Sequence, residues 1–240
     1  MEDSSLQYKK YPIILFIGIC VIGLSYAGHG LLSAREAYHT ADRGYKMLQE
    51  QRRSYELEKK TVEDAFTEAM REINPNYSAW IEIDGTNIDY PIAQAGEDYL
   101  NHDFYGKESV SGSLFVGSGQ DPFNDLNTII FGHNMKDGTM FAGLKKYLDK
   151  AWLEDHPIVK IQYKGKIICY EVFSVQILPE ENTVSYIYEF SDKEYEAFLK
   201  KISIDSLIKT KKTIDNAPII TLSTCYGTAK RLIVAAQEVN

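Results

Sequence analysis

Beyond Tyr77 the chain is written in short β-rich runs separated by turn residues, and this punctuation narrows the possible folds more than any other feature. The candidate strands are Trp80–Ile83, Ile88–Ile92, Ser113–Val116, Thr128–Phe131, Ile158–Tyr163, Ile167–Gln176, Ile219–Thr224 and Arg231–Glu238. Asp84-Gly85 and Lys164-Gly165 mark tight hairpins, whose turns need a left-handed backbone that glycine adopts freely. A parallel sheet would require a helix in nearly every crossover, so the pattern points to a mainly β domain, either a closed barrel or a sandwich. Two helical patterns interrupt it. Thr139–Leu148 carries Phe141, Leu144 and Leu148 on one face, and the capping box Ser191 to Glu194 opens a helix bearing Tyr195, Phe198, Leu199 and Ile202 between the sixth and seventh strands.

The amino-terminal third has a different texture. Residues 11–34 carry no formal charge, a stretch slightly longer than the roughly 20 residues that cross a bilayer as a helix. The apolar heart Ile13–Leu24, followed by Leu32-Ser33-Ala34, also fits a cleaved signal peptide, but apolar character continues well past the usual signal core and favours an uncleaved anchor. Lys9 and Lys10 would keep the start of the chain in the cytoplasm and place the remainder outside it. After the anchor, Leu48, Tyr55, Val62, Phe66, Met70 and Ile73 recur at helical spacing, which predicts one or two amphipathic helices, with Thr61 as a cap and Asn74-Pro75 as the stop. The expected organisation is a cytoplasmic terminus (1–10), a transmembrane anchor (11–34), amphipathic helices (35–74) and a β domain (75–240).

A net charge of -8 repels the phosphate backbone, and the basic cluster Lys209, Lys211 and Lys212 has no interleaved aromatic residue, so nucleic acid is not an expected partner. The three cysteines, Cys20, Cys169 and Cys225, form no CxxC pair and suggest neither a zinc site nor a disulfide framework. Cys20 lies in the apolar segment and Cys169 in mid-strand among apolar residues, where both read as packing. Cys225 is different. Strand alternation places Thr221, Ser223 and Cys225 on one face, with Ile220, Leu222 and Thr224 on the other, so the cysteine ends its strand away from its apolar neighbours. Tyr226–Lys230 is short enough for a hairpin, which sets Arg231 on the adjacent strand about 4.8 Å away. A cation within reach raises the thiolate fraction of a cysteine, and a guanidinium can donate to an oxyanion. Of the five histidines, His133 follows a buried strand through Gly132 and sits at a strand rim, where it can serve as acid and base.

These residues resemble a known family. Thr221-Leu222-Ser223-Thr224-Cys225 with Arg231-Leu232-Ile233-Val234, and Phe131-Gly132-His133-Asn134-Met135 upstream, resemble a sortase. The amino-terminal helices, the stretch Tyr99–Tyr105 leading to Ser111–Phe115, and the helix between strands six and seven resemble class B. The resemblance implies a closed eight-stranded barrel and a membrane-tethered cysteine transpeptidase on the outer face of a Gram-positive bacterium. It implies that Cys225 attacks the threonine carbonyl of a sorting motif of Asn-Pro-x-Thr type in secreted proteins, that His133 is the acid/base, and that Arg231 orients substrate and oxyanion. The acyl group would pass from a thioacyl enzyme to an amine of the peptidoglycan precursor lipid II, or to a pilin lysine, without metal or cofactor. Ser223, Thr224, Tyr186, Ile187 and Leu100 match positions of the family's substrate groove. One departure is that no acidic residue stands just after Cys225, so the resemblance supplies no third, carboxylate partner. The rival readings are a hydrolytic cysteine peptidase and a non-catalytic tethered barrel; papain-like enzymes place cysteine before histidine, the reverse of the order here.

Overall fold

The computed structural model describes residues 11–57, 62–94, 97–182 and 186–239. The chain divides into two units, 1–41 and 42–240. Helix α1 runs Tyr11–Leu57 and α2 runs Val62–Ile73. Among the described residues no helix is long and apolar enough to cross a membrane. The side chains of 11–15, 17 and 18, the apolar opening of the expected anchor, lie outside that set, as does the cap expected at Thr61.

The second unit is a closed barrel of eight strands in the order β1-β2-β3-β4-β7-β8-β6-β5. The strands are β1 Tyr77–Glu82, β2 Asp89–Gln94, β3 Leu114–Val116, β4 Asn127–Phe131, β5 Ile158–Tyr163, β6 Lys166–Pro179, β7 Ile219–Cys225 and β8 Lys230–Glu238. Each expected strand is present, with ends moved by a few residues. Both expected hairpins form: Gly85 adopts φ +76°, and Lys164 and Gly165 both take positive φ, as a two-residue turn matched to strand twist demands. Two neighbouring pairs, β2 with β3 and β4 with β7, are parallel. Parallel pairing requires a crossover, and the one between β4 and β7 contains most of the remaining elements.

Helix α3 spans Lys150–Asp155 and α4 spans Asp192–Ile204. The expected capping box forms at the start of α4, where Ser191 and Glu194 satisfy each other's backbone donors. Tyr195, Phe198, Leu199 and Ile202 then pack with Phe173, Ile219 and Ala235, which covers the outside of β6, β7 and β8. This cover explains why β7 is buried on both faces up to Thr224. The stretch expected as an α-helix at 139–148 is instead a 3₁₀ helix at Phe141–Leu148, and its buried residues are Phe141, Leu144 and Tyr147, with Leu148 only half-buried. Three residues per turn aligns positions three apart, which swaps Tyr147 for Leu148 on the inner face. Helix α3, capped by the Asp149 carboxylate, follows at once and carries no apolar period long enough to stand out in sequence.

The last turns of α1 are fixed to the barrel wall by one buried cation. Leu48 is fully buried, and four residues on, Arg52 pairs with Glu82 and Asp89 at 2.8 Å each and lies 5.5 Å from the Trp80 ring centroid. Trp80 donates its indole N–H to the same Asp89 carboxylate at 2.7 Å. Removing one member of such a group leaves the others desolvated without their counter-charge, which is far costlier than losing a surface pair. Arg52→Ala is therefore expected to lower unfolding free energy by about 2–4 kcal/mol, read by urea denaturation with the Trp80 fluorescence as probe.

Candidate active site

The site is set by a register. In the parallel β4–β7 pair Phe131 faces Ser223, and two residues further along each chain come His133 and Cys225. The shared rung continues past the strand ends: the Gly132 N–H donates to the Ser223 carbonyl at 3.2 Å, the Thr224 hydroxyl donates to the Gly132 carbonyl at 2.7 Å, and the Asn134 amide donates to the Cys225 carbonyl at 2.7 Å. Gly132 is required here, since a Cβ would stand 2.3 Å from Leu114 Cδ2 and 2.9 Å from Phe141 Cδ2.

Cys225 is exposed at the end of β7 and pairs across the hairpin with Arg231, whose Nη1 donates to the sulfur at 3.0 Å. The other end of the guanidinium donates to the Glu180 carboxylate. Opposite, His133 Nε2 lies 2.8 Å from the Leu100 carbonyl. A carbonyl only accepts, so Nε2 carries the hydrogen and Nδ1 is the basic nitrogen of the neutral ring. Cys225, His133 and Arg231 line one groove of about 800 Å³ together with Leu100, Tyr186 and Ser223. Part of its wall is aromatic: Phe115 stacks on Phe131 at 5.5 Å, and Tyr186 packs on Phe131 at 5.4 Å. The Tyr186 phenol shares a 2.8 Å hydrogen bond with the Ser223 hydroxyl, and burial raises its pKa against the opposing effects of Ser223 and Arg231, so it stays a neutral phenol.

The remaining expected groove residues sit elsewhere. Thr224 is fully buried on the opposite face of β7, where alternation sends it, and its hydroxyl serves the Gly132 backbone. Ile187 is 43% exposed, its carbonyl accepts from Asn127, and its side chain is not part of the groove wall among the described residues. Cys169 is half-buried in β6, paired with Lys160 of β5. His156 stacks on Trp152 at 4.6 Å, and His102 Nδ1 is hydrogen-bonded to the Asp98 carbonyl. Sequence reasoning missed Glu180, the Leu100 carbonyl and Asp98 on the groove wall. The first two act through contacts between distant elements, which spacing along the chain does not register.

A barrel with cysteine, histidine and arginine at adjacent strand ends offers a candidate site for acyl transfer to a thiol, and comparison with known proteins gives the family of the chain. The chain belongs to the sortase family, whose domain matches residues 81–239, more than half of the sequence, and whose members are cysteine transpeptidases. Its relatives are of the B class. The sequence is 37% identical over 164 residues to sortase B of Listeria monocytogenes, a match spanning 65% of this chain and 65% of that relative. A mutant form of Clostridium perfringens sortase B superposes with a TM-score of 0.75 at 32% identity, covering 83% of this chain and 98% of that one. A Staphylococcus aureus sortase B–substrate complex gives a TM-score of 0.75 at 29% identity, covering 83% and 96%.

One glycine ties the groove to its histidine. Gly112 has φ +55°, and a Cβ there would lie 2.5 Å from the Leu100 oxygen that holds His133. Both the left-handed backbone and the contact penalise alanine, by about 1–3 kcal/mol each. Gly112→Ala should fold with reduced stability and a lower kcat for thioester formation, measured by single-turnover kinetics, since the displaced carbonyl re-aims the imidazole.

Proposed function

We propose that this chain is a membrane-tethered sortase that cleaves a carboxyl-terminal sorting motif of Asn-Pro-x-Thr type after the threonine and joins the new acyl end to an amine of the cell-wall precursor. The observation that carries this reading is the meeting of an exposed thiol, an imidazole and a guanidinium, delivered by three strand ends, at one groove. The groove of about 800 Å³ is of a size that takes a short peptide segment, and the Staphylococcus aureus relative has been solved as a substrate complex. Residues 11–34 would anchor the domain on the outer face of the cell membrane, in keeping with their freedom from charge.

In this mechanism the Cys225 thiol passes its proton to His133 Nδ1 as the sulfur adds to the threonine carbonyl, and an Arg231 N–H turns from the sulfur to the oxygen that gains negative charge. The C–N bond then breaks as His133 gives a proton to the departing nitrogen, leaving a thioester between Cys225 and the threonine. The amine attacks the thioester, His133 takes up its proton and returns it to the sulfur, which leaves as an amide forms. Electrons balance without any redox partner, because one acyl bond replaces another twice.

A sorting-motif peptide incubated with the full-length chain and an amine is expected to give the amide, followed by mass spectrometry. Cys225→Ala should give no product. His133→Ala and Arg231→Ala should each lose at least about 10²-fold in kcat, the usual worth of a positioned acid/base or oxyanion donor. Free acid as the sole product at saturating amine would show a hydrolase and sink the transfer reading.

A further inference from the structure

Tyr226 follows Cys225, so no acid neighbours the nucleophile in sequence. A carboxylate nevertheless reaches the same guanidinium from another strand. The β6–β8 register pairs Leu178 with Arg231 and Pro179 with Lys230. Glu180, the first residue beyond β6, donates its own N–H to the Ala229 carbonyl at 3.0 Å, so the ladder runs one residue past the strand and fixes where this side chain begins. From there the Glu180 carboxylate accepts from Arg231 Nη2, while Nη1 of the same guanidinium donates to the Cys225 sulfur at 3.0 Å. A guanidinium is a rigid planar fork, and fixing one prong sets the direction of the other.

We propose that Glu180 is a positioning residue for the transfer reaction, its carboxylate aiming Arg231 at the reacting sulfur and at the carbonyl that docks beside it. This rests on the transpeptidase reading above. Attraction between the charges is not the source of the effect, because the Glu180 side chain is 54% exposed and that of Arg231 28%, and solvent screens such pairs. Direction survives screening. Each sp³ torsion released in the arginine stem has three staggered wells, so freeing two of them dilutes the aimed conformer about ninefold. The turn carrying Glu180 is itself braced, since the Asn182 N–H donates to the Pro179 carbonyl at 3.0 Å.

The test uses the full-length chain with a sorting-motif peptide and a saturating amine. Glu180→Ala is expected to lower kcat about tenfold with KM within about twofold, corresponding to about 1.4 kcal/mol on the barrier. Glu180→Gln keeps an acceptor oxygen on a stem of the same length and should recover to within about threefold of the parent. Because Nη2 has nothing to hold once the arginine is gone, Glu180→Ala should cost nothing further in the Arg231→Ala background, read by single-turnover thioester formation over hours. An alanine variant as fast as the parent, a loss confined to KM, equal losses in Ala and Gln, or a further tenfold drop on top of Arg231→Ala would each overturn the proposal. If the parent transfers normally and these results appear, only the role of Glu180 falls. If the parent forms no amide, the transpeptidase reading falls and this inference falls with it.

Discussion

The parallel contact between β4 and β7 is the constraint on which the site depends. Strands Asn127–Phe131 and Ile219–Cys225 are far apart in the chain, and neither has any other means of bringing an imidazole near a thiol. Their register does so because the rung Phe131–Ser223 leaves each functional side chain two residues beyond a common line. A slip of one residue would turn Cys225 to the opposite face and put Thr224 in its place. The fully buried Thr224 hydroxyl, spent on the Gly132 carbonyl, helps to prevent that slip.

Around this pair the antiparallel hairpin β7–β8 supplies the cation, and the extended ladder β6–β8 supplies its carboxylate. Each interaction is modest where it meets solvent. Their value lies in the sequence of backbone pairings behind them, which leaves few degrees of freedom to the side chains in the groove. Helix α4 takes part at one remove by sealing the outer faces of the same strands, so that the part of β7 behind Cys225 is dry while the cysteine itself is exposed.

Much of this was legible in the sequence, for identifiable reasons. Strand alternation placed Cys225 at a strand end, and the brevity of Tyr226–Lys230 placed Arg231 opposite it, because hairpins tie position in space to position in sequence. Gly132 marked the sharp exit before His133. What escaped were contacts made by backbone or by elements remote in sequence: the Leu100 carbonyl on His133, and Glu180 on Arg231. A carbonyl has no letter of its own, and an isolated glutamate after a long strand looks like any solvated residue. The 3₁₀ helix Phe141–Leu148 reads in sequence as an α-helix because apolar residues at 141, 144 and 148 satisfy a 3.6-residue period, while Tyr147, buried in place of Leu148, reads as amphipathic.

The loop Asn101–Ser113 is asked to serve two masters. On one side the Tyr45 hydroxyl of α1 donates to the Gly112 carbonyl at 2.7 Å and shares a 2.9 Å bond with Ser113. On the other, Gly112 leaves room for the Leu100 oxygen that holds the imidazole, and the Ser113 N–H donates to the Tyr99 carbonyl at 2.8 Å. The helix Tyr11–Leu57 is thus tied, through this loop, to the segment whose carbonyl holds the His133 imidazole. Trimming the protein to a convenient soluble core by cutting after residue 57 would discard that tie, and the enzyme so obtained would be slower for a reason located nowhere in its groove.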